Sequence, residues 1–168
     1  MAKDYRFLQQ KYVLGTYVDR GLVFERGEGA YLFDSKGRKY LDFMSNVGAT
    51  TFGYNHPKIA ESLEEQFTKL HSLHGSFSNK ATAEASQNLI EKCGGHYARV
   101  YWGSSGAEVV EAALKFALLA TGRTKFIYAK NSYHGKTLGA FSVMGMDKYR
   151  KDYEDLLPKF SAVDFVDT

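Results

Sequence analysis

The fold of this chain is decided by one stretch in its second half, Arg99-Val-Tyr-Trp-Gly-Ser-Ser-Gly-Ala-Glu-Val-Val-Glu-Ala-Ala-Leu-Lys-Phe-Ala-Leu118. The β-branched and aromatic residues at 99–102 predict a strand, and the small residues at 103–106 predict a sharp turn. A helix is predicted directly after the turn. Its apolar side chains recur with the helical period, at Val110, Ala113, Leu114, Ala117 and Leu118. On the same helix, Glu111 and Lys115 have the spacing of an ion pair.

The start of this predicted helix has the features of an anion-binding site. Ser105 and Glu108 have the spacing of a capping box, in which each side chain binds the backbone N–H of the other residue. The first N–H groups of a helix have no partner within the helix, and the helix dipole adds partial positive charge beside them. A phosphate group bound at 105–107 is therefore one interpretation, and an ordinarily capped helix is the other. The stretch matches neither the G-x-G-x-x-G nor the P-loop pattern, which disfavours dinucleotides and nucleoside triphosphates.

The order of the predicted elements indicates an α/β fold. Residues 22–43 contain three short strand-like runs separated by glycine-containing turns, which predicts an antiparallel meander. Helices are predicted over 57–70 and 80–93, and a further strand over 125–129. In the second half, helices and strands alternate, which is typical of a mostly parallel sheet. Ligands of such sheets bind beyond the carboxyl ends of the strands, so the loop after 125–129 is expected to face the same crevice as the predicted anion site.

The composition favours a folded protein without nucleic-acid partners. The 168 residues are 44% hydrophobic, which is sufficient for the packed core of one domain, or of one domain with an attached piece. Their net charge of +3, from 22 basic and 19 acidic residues, is too small and too scattered to indicate nucleic-acid binding. No apolar segment approaches the length of a membrane span, and the first residues lack a signal-peptide core. The lone cysteine, Cys93, fits a reducing compartment, so the predicted location is the cytoplasm.

Four segments along the chain match the motifs of one enzyme family in the right order. They are Gly29-Ala-Tyr-Leu-Phe-Asp-Ser-Lys-Gly-Arg-Lys-Tyr-Leu-Asp-Phe43, Gly53-Tyr-Asn-His-Pro57, Ser105-Gly-Ala-Glu-Val-Val-Glu-Ala-Ala-Leu-Lys115 and Tyr133-His-Gly-Lys-Thr-Leu-Gly-Ala-Phe-Ser142. With these segments the chain resembles the class III, or ω-amino, aminotransferases, which are pyridoxal 5′-phosphate enzymes of fold type I. The resemblance implies that residues 1–57, with the meander, belong to the small domain. Residues 58–168 would then be the amino-terminal part of the large cofactor-binding domain.

The resemblance also implies which residues bind the cofactor. Ser105, Gly106 and Ala107 would hold its phosphate. Tyr133 would lie flat on its pyridine ring, with His134 beside it. Helix N-termini bind anions and aromatic faces stack on aromatic rings, so the physical chemistry of these residues agrees with the implied roles. Most family members have threonine where this chain has Ala107, so one hydroxyl donor to the phosphate is missing, at an expected cost of about 1 kcal/mol.

Lys136 is the residue that the resemblance connects with the substrate. In acetylornithine-type members an arginine at this position clamps the substrate carboxylate, and a lysine does not reproduce its two parallel hydrogen bonds. We therefore expect a terminal amine of the diamine, putrescine or ornithine kind as the amino donor and a 2-oxo acid as the acceptor. Acetylornithine and 4-aminobutyrate aminotransferases are the alternatives.

The resemblance assigns no catalytic residue to this chain. The family's Schiff-base lysine, and the aspartate that pairs with the pyridine nitrogen, fall beyond Thr168. Neither Lys125 nor Lys130 lies in a matching motif. We therefore expect the amino-terminal part of an aminotransferase that is inactive alone. A catalytically dead binding or scaffold module of the same fold is the competing hypothesis.

Two further expectations concern assembly and metals. Family members are dimers, so a homodimer or larger homo-oligomer is expected, with segments 45–56 and 71–79 at the interface. His71 and His74 are close in sequence, but no carboxylate or cysteine accompanies them, so no metal site is expected.

Overall fold

The computed structural model describes residues 3–165 in two compact units, which divide between Phe77 and Ser78. Each unit contains its own small sheet. The division lies after the helix that begins at Pro57 rather than before it. The assignment of residues 1–57 to a small domain therefore stays a prediction.

The first unit contains two α-helices, a short 3-10 helix (Ser45–Gly48) and an antiparallel sheet. Helix α1 spans Tyr5–Tyr12, and the Asp4 carboxylate caps its first turn by accepting a hydrogen bond from the Phe7 N–H at 3.0 Å. Three antiparallel strands follow in the order β1 (Phe24–Glu28), β2 (Tyr31–Asp34) and β3 (Lys39–Leu41). The meander predicted over 22–43 is therefore confirmed. Helix α2 (Pro57–Lys69) starts at a proline. Proline suits this position because it lacks an N–H group, and an N–H in the first turn would have no partner within the helix.

One buried carboxylate holds the turn between β2 and β3. Asp34 is only 5% exposed, and its side chain accepts hydrogen bonds from the N–H groups of Lys36 and Arg38, both at 2.9 Å. Its second oxygen accepts from Arg38 Nε at 2.7 Å and from the Tyr40 hydroxyl at 3.1 Å. Burial raises the pKa of the Asp34 carboxyl, but these hydrogen bonds outweigh burial and lower the pKa to about 2. The turn therefore keeps its charged acceptor at neutral pH.

The second unit contains helices and a pair of parallel strands. Its α-helices are α3 (Lys80–Lys92), α4 (Gly106–Thr121), α5 (Leu138–Ser142) and α6 (Asp147–Arg150), and a 3-10 helix spans Glu154–Leu156. Its strands are β4 (Ile127–Ala129) and β5 (Ser161–Val163), which pair in parallel. The predicted strand near 125–129 and the parallel arrangement are confirmed.

The strand predicted over 99–102 is wrong. Within the described part of the chain, this segment pairs with no strand. Its aromatic side chains contact α4 and α3 instead. Tyr101 meets the Phe116 ring edge-on, with centroids 5.5 Å apart, and Trp102 Nε1 donates to Ser86 Oγ at 2.8 Å. Aromatic and β-branched residues form a strand only where a neighbouring strand offers hydrogen bonds, which is a property of the tertiary structure.

The core of the second unit lies around α5. Its buried apolar residues are Ala112, Ala140, Phe141, Val143, Met144 and Leu157. Arg150 is buried beside them, and its Nη1 donates to the carbonyl oxygens of Ser142 at 3.1 Å and Met144 at 2.9 Å. Its guanidinium also lies over the ring of Tyr128, 4.8 Å from the centroid. Arg150 therefore ties the end of α5 to β4.

Candidate functional site

The first turn of α4 is held by the predicted capping box. Ser105 Oγ accepts a hydrogen bond from the Glu108 N–H at 3.3 Å, and the Glu108 carboxylate accepts one from the Ser105 N–H at 3.1 Å. The same carboxylate oxygen accepts from the Ser104 N–H at 2.6 Å. The helix ends at Gly122, whose φ of 66° closes the last turn in the left-handed conformation.

Two N–H groups remain available at this first turn. In the part of the chain that the structure describes, the N–H groups of Gly106 and Ala107 donate to no protein atom. Ser105 and Gly106 are exposed and Ala107 is half-buried, so a ligand can reach the turn from solvent. The helix dipole places partial positive charge at the turn, which the Glu108 carboxylate partly offsets. The geometry therefore suits an anion that accepts from the Gly106 and Ala107 N–H groups.

The loop after β4 presents an aromatic ring. Tyr133 is 53% exposed, and Tyr149 meets it edge-on, with ring centroids 6.5 Å apart and ring planes at 74°. His134, the next residue, is half-buried. The Tyr133 ring is therefore exposed to solvent and packs against Tyr149 on one side, an arrangement that allows it to stack on a flat ligand.

A glycine joins this loop to the first turn of α4. A Cβ atom at Gly135 would lie 2.6 Å from Ala107 Cβ and 3.0 Å from Ala107 Cα, and the φ of Gly135 is +122°. Glycine is therefore the residue that allows the loop backbone to lie this close to α4. The contact brings the backbone directly after Tyr133 and His134 against the turn at 105–107.

The lysines near this site have different surroundings. Lys136 directly follows Gly135 and is exposed. Lys130 Nζ forms an ion pair with the Asp164 carboxylate at 2.9 Å. Lys125 is exposed ahead of β4. Of the three, Lys136 is the one next to the contact between the loop and α4.

Glu111 makes a contact that the sequence does not predict. The sequence predicts an ion pair with Lys115, but the Glu111 carboxylate accepts a hydrogen bond from the Gly139 N–H of α5 at 2.7 Å. A hydrogen bond from the Thr137 hydroxyl lowers the pKa of the Glu111 carboxyl, partial burial opposes this, and the Gly139 N–H adds to the lowering, with Lys115 a smaller attraction. The signal in the sequence was Gly139 itself, because a glycine inside a helix often has a packing reason such as the close approach of a neighbouring group.

Residues 3–165 contain neither a metal cluster nor a helix that spans a membrane. No group of three or more His, Cys, Asp or Glu side chains in this part of the chain lies close enough together to hold a metal ion. None of its helices combines the length and the apolar composition that crossing a bilayer requires. His71 stacks on Phe67, with centroids 6.0 Å apart, and His74 Nδ1 lies 2.8 Å from Ser76 Oγ.

One family profile covers most of the chain. The family described as "Aminotransferase class-III" matches residues 16–168. The chain belongs to this family. Class III aminotransferases use pyridoxal 5′-phosphate, and the chain shares their α/β fold of type I. The fold class and the family expected from the sequence are confirmed.

Individual transaminases match nearly the whole of this class III aminotransferase chain. It is 43% identical over 146 residues to a putative LysW-aminoadipate semialdehyde/glutamate semialdehyde transaminase of Pyrococcus abyssi, covering 87% of the chain and 40% of the relative. It is 38% identical over 157 residues to an acetylornithine aminotransferase of Archaeoglobus fulgidus, covering 94% and 41%. A solved adenosylmethionine-8-amino-7-oxononanoate aminotransferase of Methanocaldococcus jannaschii superimposes with a TM-score of 0.87 at 33% identity, covering 96% and 41%. The chain thus spans about two fifths of the length of the curated relatives that it matches.

Proposed function

We propose that this chain is the amino-terminal part of an aminotransferase and binds one side of its pyridoxal phosphate. The turn at 105–107 binds the phosphate, Tyr133 covers the pyridine ring and His134 lies beside it. The contact between Gly135 and Ala107 is the observation that supports this best, because it places two available N–H groups and an exposed aromatic ring on neighbouring stretches of backbone.

The residues at this site fit such a cofactor. Bound pyridoxal phosphate supplies the electron-withdrawing ring that transfer of an amino group requires. The chain contributes binding and orientation: the N–H groups of Gly106 and Ala107 donate to phosphate oxygens, and Tyr133 shields one face of the ring from water. Ala107 offers no hydroxyl and the Glu108 carboxylate repels the phosphate, so we expect only modest affinity from this chain.

The names of the relatives favour an amino donor that carries a carboxylate. Of the two curated relatives described above, one is named for aminoadipate semialdehyde and glutamate semialdehyde, and the other for acetylornithine. They agree better with the acetylornithine alternative than with the diamine donor expected from Lys136. We therefore propose an ω-amino donor of the acetylornithine type and a 2-oxo acid acceptor, with the Lys136 ammonium binding the donor carboxylate as a point charge. A diamine donor is the second candidate, favoured by lysine in place of arginine at this position.

Replacement of Lys136 by methionine distinguishes the two donors. If the Lys136 ammonium binds a carboxylate, the chain loaded with pyridoxal phosphate binds N-acetylornithine more tightly than putrescine. Lys136→Met is then expected to weaken N-acetylornithine binding about tenfold or more, because it removes a charge-assisted hydrogen bond. Calorimetric titration measures both ligands, and Lys136→Arg, which keeps the charge, serves as the control. A preference for putrescine that persists in Lys136→Met contradicts carboxylate binding and supports the diamine.

We expect no lysine of this chain to bind the cofactor covalently. Lys130 is paired with Asp164, and Lys125 and Lys136 lie outside any motif for that role. Titration with pyridoxal phosphate, followed by absorbance, is expected to show saturable and reversible binding. Reduction with borohydride and mass spectrometry are expected to show no single stoichiometric lysine adduct. One stoichiometric adduct contradicts the expectation, whereas a lack of saturable binding supports the cofactor-free scaffold.

We also propose a homodimer or larger homo-oligomer in the cytoplasm. Large apolar side chains are exposed in and beside the segment 45–56, at Phe43, Val47 and Phe52. Exposed apolar surface of this kind marks sites of protein–protein contact. The free, exposed thiol of Cys93 fits a reducing compartment.

A further inference from the structure

A second contact joins α4 to α5, one helical turn beyond the contact between Ala107 and Gly135. Here Glu111 Oε1 accepts a hydrogen bond from the Gly139 N–H at 2.7 Å. Glu111 comes four residues after Ala107, and Gly139 comes four residues after Gly135. Residues four apart lie on the same face of a helix, so both contacts are made by one face of α4. The chain that follows Tyr133 is therefore attached to α4 at two points, Gly135 and Gly139.

The start of α5 lies against the Glu111 carboxylate. Thr137 stands at the N-cap position of α5, but its side chain makes no capping hydrogen bond to the helix. The acceptor that the structure shows at this end of α5 is the Glu111 carboxylate, to which the Gly139 N–H donates, and the nearby Thr137 side chain contributes to lowering the pKa of that carboxyl. A Cβ atom at Gly139 would overlap Glu111 Oε2 and would lie 2.7 Å from the carboxyl carbon, so the glycine is what admits the carboxylate. Glu111 thus supplies from another helix the acceptor that an N-cap residue usually supplies.

We propose that Glu111 is a positioning residue, which fixes the loop at 133–137 against the first turn of α4. It acts through its hydrogen bond with the Gly139 N–H. Its effect is to keep the phosphate-binding turn at 105–107 and the Tyr133 ring at a constant separation. The consequence for ligand binding rests on the proposed function, whereas the consequence for the loop does not.

The binding affinities for two ligands of different size distinguish a positioning role of Glu111 from a merely structural one. Inorganic phosphate needs only the turn at 105–107. Pyridoxal phosphate needs the turn and the Tyr133 ring together. Loosening of the loop therefore weakens the binding of pyridoxal phosphate and leaves the binding of phosphate unchanged, whereas partial unfolding weakens both.

The experiment compares Glu111→Ala and Glu111→Gln with the unchanged chain. Glu84→Gln is the control, because Glu84 forms an exposed ion pair with Lys80 on α3 and lies outside the contact between α4 and α5. Hydrogen exchange without ligand is expected to be about tenfold faster over 133–139 in Glu111→Ala. Glu111→Gln is expected to give a smaller increase, because glutamine keeps one acceptor oxygen for the Gly139 N–H.

The same variants are then titrated with both ligands. The dissociation constant of pyridoxal phosphate is expected to rise about tenfold in Glu111→Ala, and that of inorganic phosphate to change less than twofold. Gly139→Ala, which displaces the carboxylate without removing it, is expected to behave like Glu111→Ala.

Several results overturn the proposal. Unchanged exchange over 133–139 in Glu111→Ala shows that the contact does not hold the loop. Equal losses of affinity for both ligands, or no loss for either, show that Glu111 does not position the site. If the unchanged chain binds no pyridoxal phosphate, the proposed function fails, and the exchange measurement still decides whether Glu111 holds the loop.

Discussion

Replacement of Gly106 by aspartate is expected to weaken the binding of pyridoxal phosphate by about 100-fold or more. The new carboxylate stands in the first turn of α4, where the phosphate is proposed to bind. Two like charges about 4 Å apart repel by about 4 kcal/mol at the effective dielectric of a protein surface. Solvent screens part of this repulsion, and a loss of about 2.7 kcal/mol corresponds to a factor of 100 in the dissociation constant.

The fold is expected to tolerate this substitution. A Cβ atom at Gly106 meets no atom within 4 Å, and the φ of Gly106 lies outside the left-handed region. An acidic side chain in the first turn also interacts favourably with the helix dipole. The urea midpoint of Gly106→Asp is therefore expected to equal or exceed that of the unchanged chain, so a loss of binding cannot be attributed to unfolding.

Gly106→Asn is the matched control, because asparagine has the shape of aspartate without its charge. Its dissociation constant is expected to stay within about threefold of the unchanged value, since it loses no charged or hydrogen-bonded partner. Absorbance titrations of the three proteins with pyridoxal phosphate measure the difference. An equal loss in Gly106→Asn and Gly106→Asp assigns the effect to bulk rather than to charge, and it places the phosphate away from this turn.

The parts of the fold that were predictable from sequence are those with local signals. The start of α4 is marked in the sequence by Ser105 with Glu108, and the structure shows this capping box formed. Alternating strand-like runs and turns likewise predicted the meander over 22–43. A capping residue or a turn glycine acts within a few residues of itself, so its effect can be recognised without knowledge of the rest of the chain.

The wrong prediction over 99–102 shows where local signals fail. The segment has strand-forming residues, but strand formation needs a partner, and Trp102 and Tyr101 contact the helices α3 and α4 instead. Local propensity describes which conformations a residue tolerates, whereas pairing depends on segments distant in the sequence.

The candidate site was likewise predictable only in part: its two segments had local signals, and the contacts between them did not. The turn at 105–107 and the loop at 133–136 were each recognisable. The rule that ligands bind beyond strand ends predicted that both face one crevice, although the segment 99–102 before the turn is not a strand. The atomic contacts that join them were not recognisable, because Gly135 and Ala107, like Gly139 and Glu111, are distant in sequence. The sequence predicts a surface ion pair between Glu111 and Lys115. The structure shows instead that Glu111 contacts Gly139, because α5 packs against α4.

Replacement of Gly145 by alanine is expected to destabilise the second unit by about 3 kcal/mol, at the upper end of what overpacking usually costs. Gly145 lies where the chain leaving α5 passes the end of β4. Its N–H donates to the Ser132 carbonyl at 3.0 Å, and its carbonyl accepts from the Asn131 N–H at 2.9 Å. A Cβ atom here would overlap the Ala129 carbonyl oxygen and would lie 2.7 Å from the Asn131 nitrogen.

The atoms that the new methyl group would meet cannot move aside cheaply, because they belong to the backbone. Ala129 is paired with Val163 in the parallel ladder of β4 and β5, so its displacement breaks that ladder. The φ of Gly145 is outside the left-handed region, so the whole expected cost comes from this close contact. Urea unfolding of Gly145→Ala measures the loss. Gly106→Ala is the control, since its methyl group enters open space and is expected to change stability by no more than about 1 kcal/mol. A loss in Gly145→Ala as small as in this control contradicts the close passage of Gly145 against β4.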